Sequence, residues 1–324
     1  MKRNEKEIFQ EGNSMNEKLT EEIIRTENLS KNYGKIKAVE DMSLSVHKGE
    51  IYGFLGLNGA GKTTTIRMLL GMIRPTSGES YLMGERVHSG SHQLWNSVGY
   101  LVEIPYSYPE LTVRENLEIS RRLHFLKDST AVDSVIKKLK LEPYRDRKAK
   151  NLSLGNSQRL GLAKALIHNP KILILDEPSN GLDPAGIVEI RELLRDLAFN
   201  KGVTVFISSH ILGEISKLAT RIGIIHEGRL IQEMDAKELH LYRNRSLFID
   251  LEDKKGAQSL LANEGFDSTI TEEGLIEITS EKALVHPEDV NSNLVKAGFS
   301  PSMLKVEEEE LESYFLRIID KRVF

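Results

Sequence analysis

From about Glu22 to Gln232, short apolar runs alternate with stretches where apolar residues recur at helical spacing, the pattern of a mainly parallel sheet covered by helices. Ile51 to Leu55 reads as a buried strand. Ile66, Leu69, Leu70 and Ile73 fall at i, i+3, i+4 and i+7 of a following helix, which Pro75 is expected to stop. Ile172 to Leu175 and Val203 to Ile207 are continuous apolar segments of strand length, as central strands buried on both faces require. Asp176 and Glu177 follow the first of these, and Ser208, Ser209 and His210 the second. Ligands of an open α/β sheet sit at the carboxyl ends of its strands, so these residues are expected to share one crevice with the loop after Leu55. Between about Trp95 and Asn169 helix signals such as Val132, Val135, Ile136 and Leu139 predict a helical subdomain.

After about Tyr242 the pattern changes. Leu247, Ile249 and Leu251 alternate, a helix-like stretch ends at Gly265-Phe266, two strands flank Gly274, and a second helix ends at Gly298-Phe299. The order strand, helix, strand, strand, helix, strand predicts a small ferredoxin-like α+β sandwich. Leu311, Tyr314, Phe315, Ile318 and Ile319 share one helical face, expected to pack against protein rather than membrane. The expected organisation is a polar tail over residues 1–21, an α/β domain over 22–241 and an accessory domain over 242–324.

Composition narrows the function. A 324-residue chain with 40% hydrophobic residues can bury a sizeable core, and a formal net charge of −4 gives no basic bias, so no nucleic-acid partner is expected. Residues 1–20 lack the apolar core of a signal peptide, and no apolar run is long enough to cross a bilayer, so a cytoplasmic location is expected, with either Met1 or Met15 as the start. Zero cysteines exclude disulfides, thiolate zinc sites and cysteine nucleophiles.

The chemistry begins in GLNGAGKTT, Gly56 to Thr64, whose glycines, lysine and hydroxyl match the P-loop spacing. Glycines let the backbone wrap round phosphate oxygens and aim N–H groups at them, and the helix N-terminus adds its dipole. Gly56, Asn58, Gly59, Ala60, Gly61, Lys62, Thr63 and Thr64 are the candidate nucleotide contacts. Lys62 is expected to reach the β- and γ-phosphates and Thr63 to hold Mg²⁺. The bare pattern arises by chance in roughly one chain per hundred of this length. An accidental glycine turn is disfavoured by the strand before it and the helix after it. Asp176, ending a buried strand, supplies the carboxylate a P-loop site needs for Mg²⁺, and Glu177 is placed to accept a proton from the attacking water.

Together these residues resemble the ATP-binding subunits of ABC transporters over roughly residues 22–232, and the most diagnostic part is LSLGN, Leu152 to Asn156, followed by Gln158 and Arg159. Ser153 can also cap a helix whose apolar face includes Leu160, Ala163 and Ile167. The resemblance implies a P-loop NTPase core of the ABC ATPase type with a helical subdomain, using ATP and Mg²⁺. It implies that Ser153 and Gly155 contact the γ-phosphate held by an opposite subunit, so that two chains, as a homodimer or a paired homologue, sandwich two nucleotides. Tyr33, in KNYG, is placed like the family's adenine-stacking aromatic, and His210 like its switch histidine. Asp183, in SNGLDP, matches the D-loop and equally suits a helix N-cap before Pro184.

Where most members of the family carry glutamine, GYLVEIP places Glu103. A carboxylate there is expected either to bind Mg²⁺ more strongly or to require protonation when the site is empty, unless Glu103 is a solvated loop residue. Leu154 and Asn156 depart from the family's LSGGQ. With LTVRENL and ISSHILGEI, these features resemble subunits of bacterial bacitracin and lantibiotic exporters. That implies an ATPase motor on the inner membrane face driving a separate permease. The competing readings are a soluble ABC ATPase in translation or DNA repair, and a nucleotide-gated sensor with little turnover.

Overall fold

The structure is a computed structural model that describes residues 21–320 apart from Ser89, His92 and Ile104. The polar tail predicted for residues 1–21 lies, except for Glu21, outside the described residues. The chain divides into two compact units between Lys237 and Glu238.

In the first unit the strands are β1 (Glu22–Tyr33), β2 (Ile36–His47), β3 (Ile51–Leu55), β4 (Ser77–Leu82), β5 (Glu85–Arg86), β6 (Val98–Leu101), β7 (Ile172–Asp176), β8 (Thr204–Ser209), β9 (Arg221–His226) and β10 (Arg229–Asp235). They form an antiparallel sheet of order β2-β1-β4-β5 and a second sheet of order β10-β9-β3-β8-β7-β6, parallel apart from β10. Every residue of β3, β7 and β8 is buried, which is why Ile51–Leu55, Ile172–Leu175 and Val205–Ile207 read as apolar runs. Phe206 stacks on Tyr52 at 5.5 Å and tilts against Phe54 at 5.3 Å, tying β8 to β3 through the core. The parallel register sets Leu55 beside Ser209 and Asp176 beside Ser208, so three strands finish together at one edge.

Helix α1 (Lys62–Leu69) follows β3. It ends earlier than the apolar spacing predicts, and Gly71 rather than Pro75 ends it. Gly71 takes φ 63°, its N–H donates to the Met68 carbonyl at 3.0 Å, and the Met72 N–H donates to the Arg67 carbonyl at 2.9 Å. That pair of bonds is the Schellman closure, and it leaves Ile73 beyond the helix.

Helices α2 (Val113–Leu123), α3 (Ala131–Lys138) and α4 (Leu154–Leu166) pack together within the predicted helical stretch. Thr112 and Glu115 close a reciprocal capping box on α2. The same stretch also contains β6, an edge strand of the parallel sheet. VGYL is too short, and too interrupted by Gly99, to read as a strand. Helix α5 (Pro184–Arg195) starts at Asp183, whose carboxylate accepts from the Gly186 N–H at 3.0 Å.

The second unit contains β11 (Arg245–Asp250), β12 (Ser268–Ile270), β13 (Ile276–Ile278) and β14 (Met303–Glu308), all antiparallel in the order β12-β13-β11-β14. Helices Lys254–Asn263 and Pro287–Lys296 cover a separate core of Leu247, Ile249, Leu261, Ile276, Val290 and Leu294. The short helix Glu281–Val285 precedes Pro287, which lacks the N–H to continue it and instead opens the next helix. The final helix, Leu311–Asp320, buries Tyr314, Phe315 and Ile319.

Candidate functional site

The loop from Gly56 to Gly61 joins β3 to α1. Gly61, the N-cap of α1, has φ 108° and offers no side chain to cap the helix, so the first N–H groups of α1 carry no side-chain acceptor. Such an end is suited to an anion. The Gly228 N–H donates to the Ala60 carbonyl at 2.9 Å, bracing the loop from the turn between β9 and β10.

Lys62 is 6% exposed. Its Nζ donates to the Gly56 carbonyl at 2.6 Å and the Leu57 carbonyl at 3.3 Å, and pairs with Glu177 Oε1 at 3.2 Å. Thr63 Oγ1 donates to Asp176 Oδ2 at 2.7 Å. The other oxygen of Asp176 accepts from Ser208 Oγ at 2.6 Å. His210 Nδ1 lies 2.8 Å from Glu177 Oε2. The ends of β3, β7 and β8 thus bring Lys62, Thr63, Asp176, Glu177 and His210 into one connected set.

A cavity of about 210 Å³ opens here, with Asn58, Gly59, Gly61, Lys62, Thr63 and Thr64 on one side and Glu177 and Ala38 among its other walls. Its lining suits a polyphosphate: backbone N–H groups, an ammonium and a helix N-terminus. The Thr63 hydroxyl and the Asp176 carboxylate, in contact, are hard oxygen donors of the kind Mg²⁺ accepts alongside substrate phosphates. Among the described residues no group of three or more His, Cys, Asp or Glu could hold a metal by itself.

A sequence model described as ABC transporter matches residues 39–180. The bacitracin transport ATP-binding protein BcrA of Bacillus licheniformis is 41% identical over 299 residues, covering 92% of this chain and 97% of the relative. The chain belongs to the ABC transporter ATP-binding family. Because 299 residues exceed the length of the first unit, the similarity to BcrA runs into the second. The lantibiotic transport ATP-binding protein SrtF of Streptococcus pyogenes is 38% identical over 230 residues, covering 70% of this chain and 98% of the relative. Among solved structures, a dimeric ATP-binding cassette in a post-hydrolysis state bound to ADP and Pi matches with TM-score 0.62 and 25% identity, covering 66% of this chain and 99% of that one.

As an ABC ATP-binding subunit the chain binds ATP, and several other residues singled out in its sequence stand apart from the phosphate cavity. Tyr33 ends β1, half-exposed, with Lys31 Nζ 5.1 Å from its ring centroid. Ser153 caps α4 by accepting from the Asn156 N–H at 3.3 Å, and Gly155 follows in the first turn. Ser153 is exposed, as is Asp183 at the start of α5. Glu103 does not join Thr63 and Asp176. It takes φ 56°, pairs with Arg67 Nη2 of α1 at 2.5 Å, and lines a different groove, of about 470 Å³, with Tyr100, Tyr106 and His168.

Ala38 and Arg67 were not singled out in the sequence, whereas Ser208 was expected in the crevice and Gln158 follows LSLGN, neither with a partner assigned. Ser208 was visible as a polar residue ending an apolar strand. Ala38 carries no chemical signal, and only the fold sets it opposite the P-loop.

Proposed function

We propose that this protein binds and hydrolyses ATP to power an exporter whose membrane-spanning permease is a separate chain, with antimicrobial peptides as the transported class. The observation that carries the hydrolytic reading is the chain of contacts from Lys62 to Glu177, both in the wall of the P-loop cavity, and on from Glu177 to His210. The export reading draws on the match to BcrA over 97% of that relative and on the likeness to SrtF.

In the proposed cycle Lys62 exchanges its bonds to Glu177 and the loop carbonyls for the β- and γ-phosphates. Thr63 Oγ1 and Asp176 hold Mg²⁺, which offsets phosphate charge when bound. Glu177 accepts a proton from the attacking water on a carboxylate oxygen, and His210 orients that carboxylate through Nδ1. Tyr33 supplies a face for adenine.

The exposed N-terminus of α4, with Ser153 and Gly155, is proposed to complete the site of a second copy, as Asp183 is proposed to line the same interface. The dimeric cassette with ADP and Pi supports this assembly. The groove beside Glu103 is proposed to receive the permease. Tyr106 is 73% exposed there, edge-on to Tyr108 at 5.7 Å, and Phe125, just beyond α2, is 89% exposed. Among the described residues no helix is long and apolar enough to cross a membrane, and a peripheral place on the cytoplasmic face is proposed from the likeness to BcrA and SrtF. Residues 22–241 form the ATPase domain in this reading, and 242–324 an accessory α+β domain.

Affinity capture of the tagged full chain from its own cells tests the proposal. A polytopic membrane protein should accompany it, and recovery of ribosomes or DNA instead would overturn the export reading.

A further inference from the structure

Glu177 has φ 49°, the left-handed backbone that a residue with a Cβ seldom adopts and that persists only where its surroundings over-determine it. Two buried side chains hold its peptide groups. The Glu177 N–H donates to Ser208 Oγ at 3.0 Å, and the Glu177 carbonyl accepts from Gln158 Nε2 at 3.3 Å. Ser208 is fully buried on β8, and Gln158 is 2% exposed on α4. The same Ser208 hydroxyl donates to Asp176 Oδ1 at 2.6 Å, leaving Oδ2 for Thr63.

We propose that Ser208 and Gln158 are positioning residues. Together they clamp the backbone of Glu177 so that its carboxylate faces Lys62 and His210, and Ser208 alone also orients Asp176. The inference rests on the hydrolytic reading above, and it goes further in assigning work to two residues outside the lining of the phosphate cavity. A serine at this place can accept from the Glu177 N–H while donating to Asp176; alanine can do neither, and it leaves a part-buried N–H without that acceptor. The Glu177 backbone is then free to relax toward an ordinary conformation, which displaces the carboxylate. Because Gln158 belongs to α4, the clamp also ties the helix capped by Ser153 to the base of its own subunit.

The two residues make separable predictions. With the full chain, ATP turnover is measured over a range of Mg²⁺, nucleotide binding with trinitrophenyl-ATP, and folding by thermal melting, for Ser208→Ala, Ser208→Thr and Gln158→Ala. Misplacement of about 1 Å costs on the order of 100-fold, so Ser208→Ala should lose roughly that factor in kcat and need more Mg²⁺ for half-saturation. Gln158→Ala should lose roughly tenfold in kcat with an unchanged Mg²⁺ requirement, since it touches Glu177 alone. Ser208→Thr keeps the hydroxyl and should restore most of the rate. Trinitrophenyl-ATP binding should stay within about threefold of wild type throughout.

Wild-type kcat and Mg²⁺ dependence in both alanine variants would overturn the clamp. So would loss of binding, melting temperature and turnover in parallel, which marks a purely structural role. A wild-type chain with no turnover is a different result: it removes the hydrolytic reading, and the clamp with it.

Discussion

Gly61 and Gly59 both take positive φ, 108° and 84°, but their surroundings differ. A Cβ at Gly59 would meet nothing within 4 Å, whereas one at Gly61 would lie 2.5 Å from the Ala38 carbonyl oxygen, 3.3 Å from Ile225 and 3.4 Å from Gly228. Alanine at position 59 therefore costs only its left-handed backbone, about 1–2 kcal/mol. Alanine at 61 costs that and a collision with a backbone carbonyl fixed in β2, which cannot rotate aside as a side chain would. Overpacking of that kind adds about 1–3 kcal/mol, for a total of about 2–5 kcal/mol. Trp95 is the sole tryptophan and packs against the core of the first unit, so its fluorescence reports that unit's unfolding. Urea unfolding followed at Trp95 should show a larger midpoint loss for Gly61→Ala than for Gly59→Ala. Gly61→Ala should also lose at least tenfold in ATP affinity, about 1.4 kcal/mol, because the first N–H groups of α1 shift with their cap. Equal stability of the two variants, or ATP binding by Gly61→Ala as tight as by wild type, would refute the proposed packing of the phosphate loop.

Glu177→Gln should lower turnover by roughly 100- to 10,000-fold while ATP still binds, measured by phosphate release beside equilibrium binding. Glu103→Gln should leave the purified chain's ATP turnover and Mg²⁺ requirement within about twofold, because Glu103 pairs with Arg67 outside the phosphate cavity. The same variant should reduce peptide resistance in cells that carry the permease, and intact resistance would argue against a coupling role. His168, stacked on His124 at 3.9 Å, has its pKa lowered from 6.5 to about 4, first by burial and then by the neighbouring imidazole. A histidine held neutral in the fold leaves stability intact above pH 6.5 and drains it as pH falls from 6.5 toward 4, where the unfolded chain takes up a proton the folded one refuses. Urea midpoints between pH 7 and 4.5 should therefore fall less steeply in His168→Gln, and an unchanged slope would exclude this histidine as a source of acid sensitivity.

Much of the site was legible because it is local or lies at the ends of unmistakable strands. The apolar run before GLNGAGKTT is β3 itself, and Asp176 and His210 follow runs that could only be buried. What could not be read depends on pairings between distant segments. Glu103 carries the chemistry of a metal ligand, and its partner in the structure is Arg67 of α1, a pairing between segments 36 residues apart that no spacing encodes. At the end of α1 proline is the louder signal in the sequence and the closure at Gly71 the effective one. Ser208 and Gln158 acquire meaning only when β8 and α4 reach the two ends of the Glu177 residue, a juxtaposition no spacing encodes.

Lys62, Thr63, Asp176 and Glu177 are proposed to act together on ATP. Phosphate release from ATP by the purified full chain, with Mg²⁺ and then with the Mg²⁺ chelated, tests this most directly. Sustained release that needs Mg²⁺ and vanishes in Glu177→Gln is the predicted result. Release that survives chelation or the loss of the Glu177 carboxylate, or no release by the wild-type chain, would contradict it.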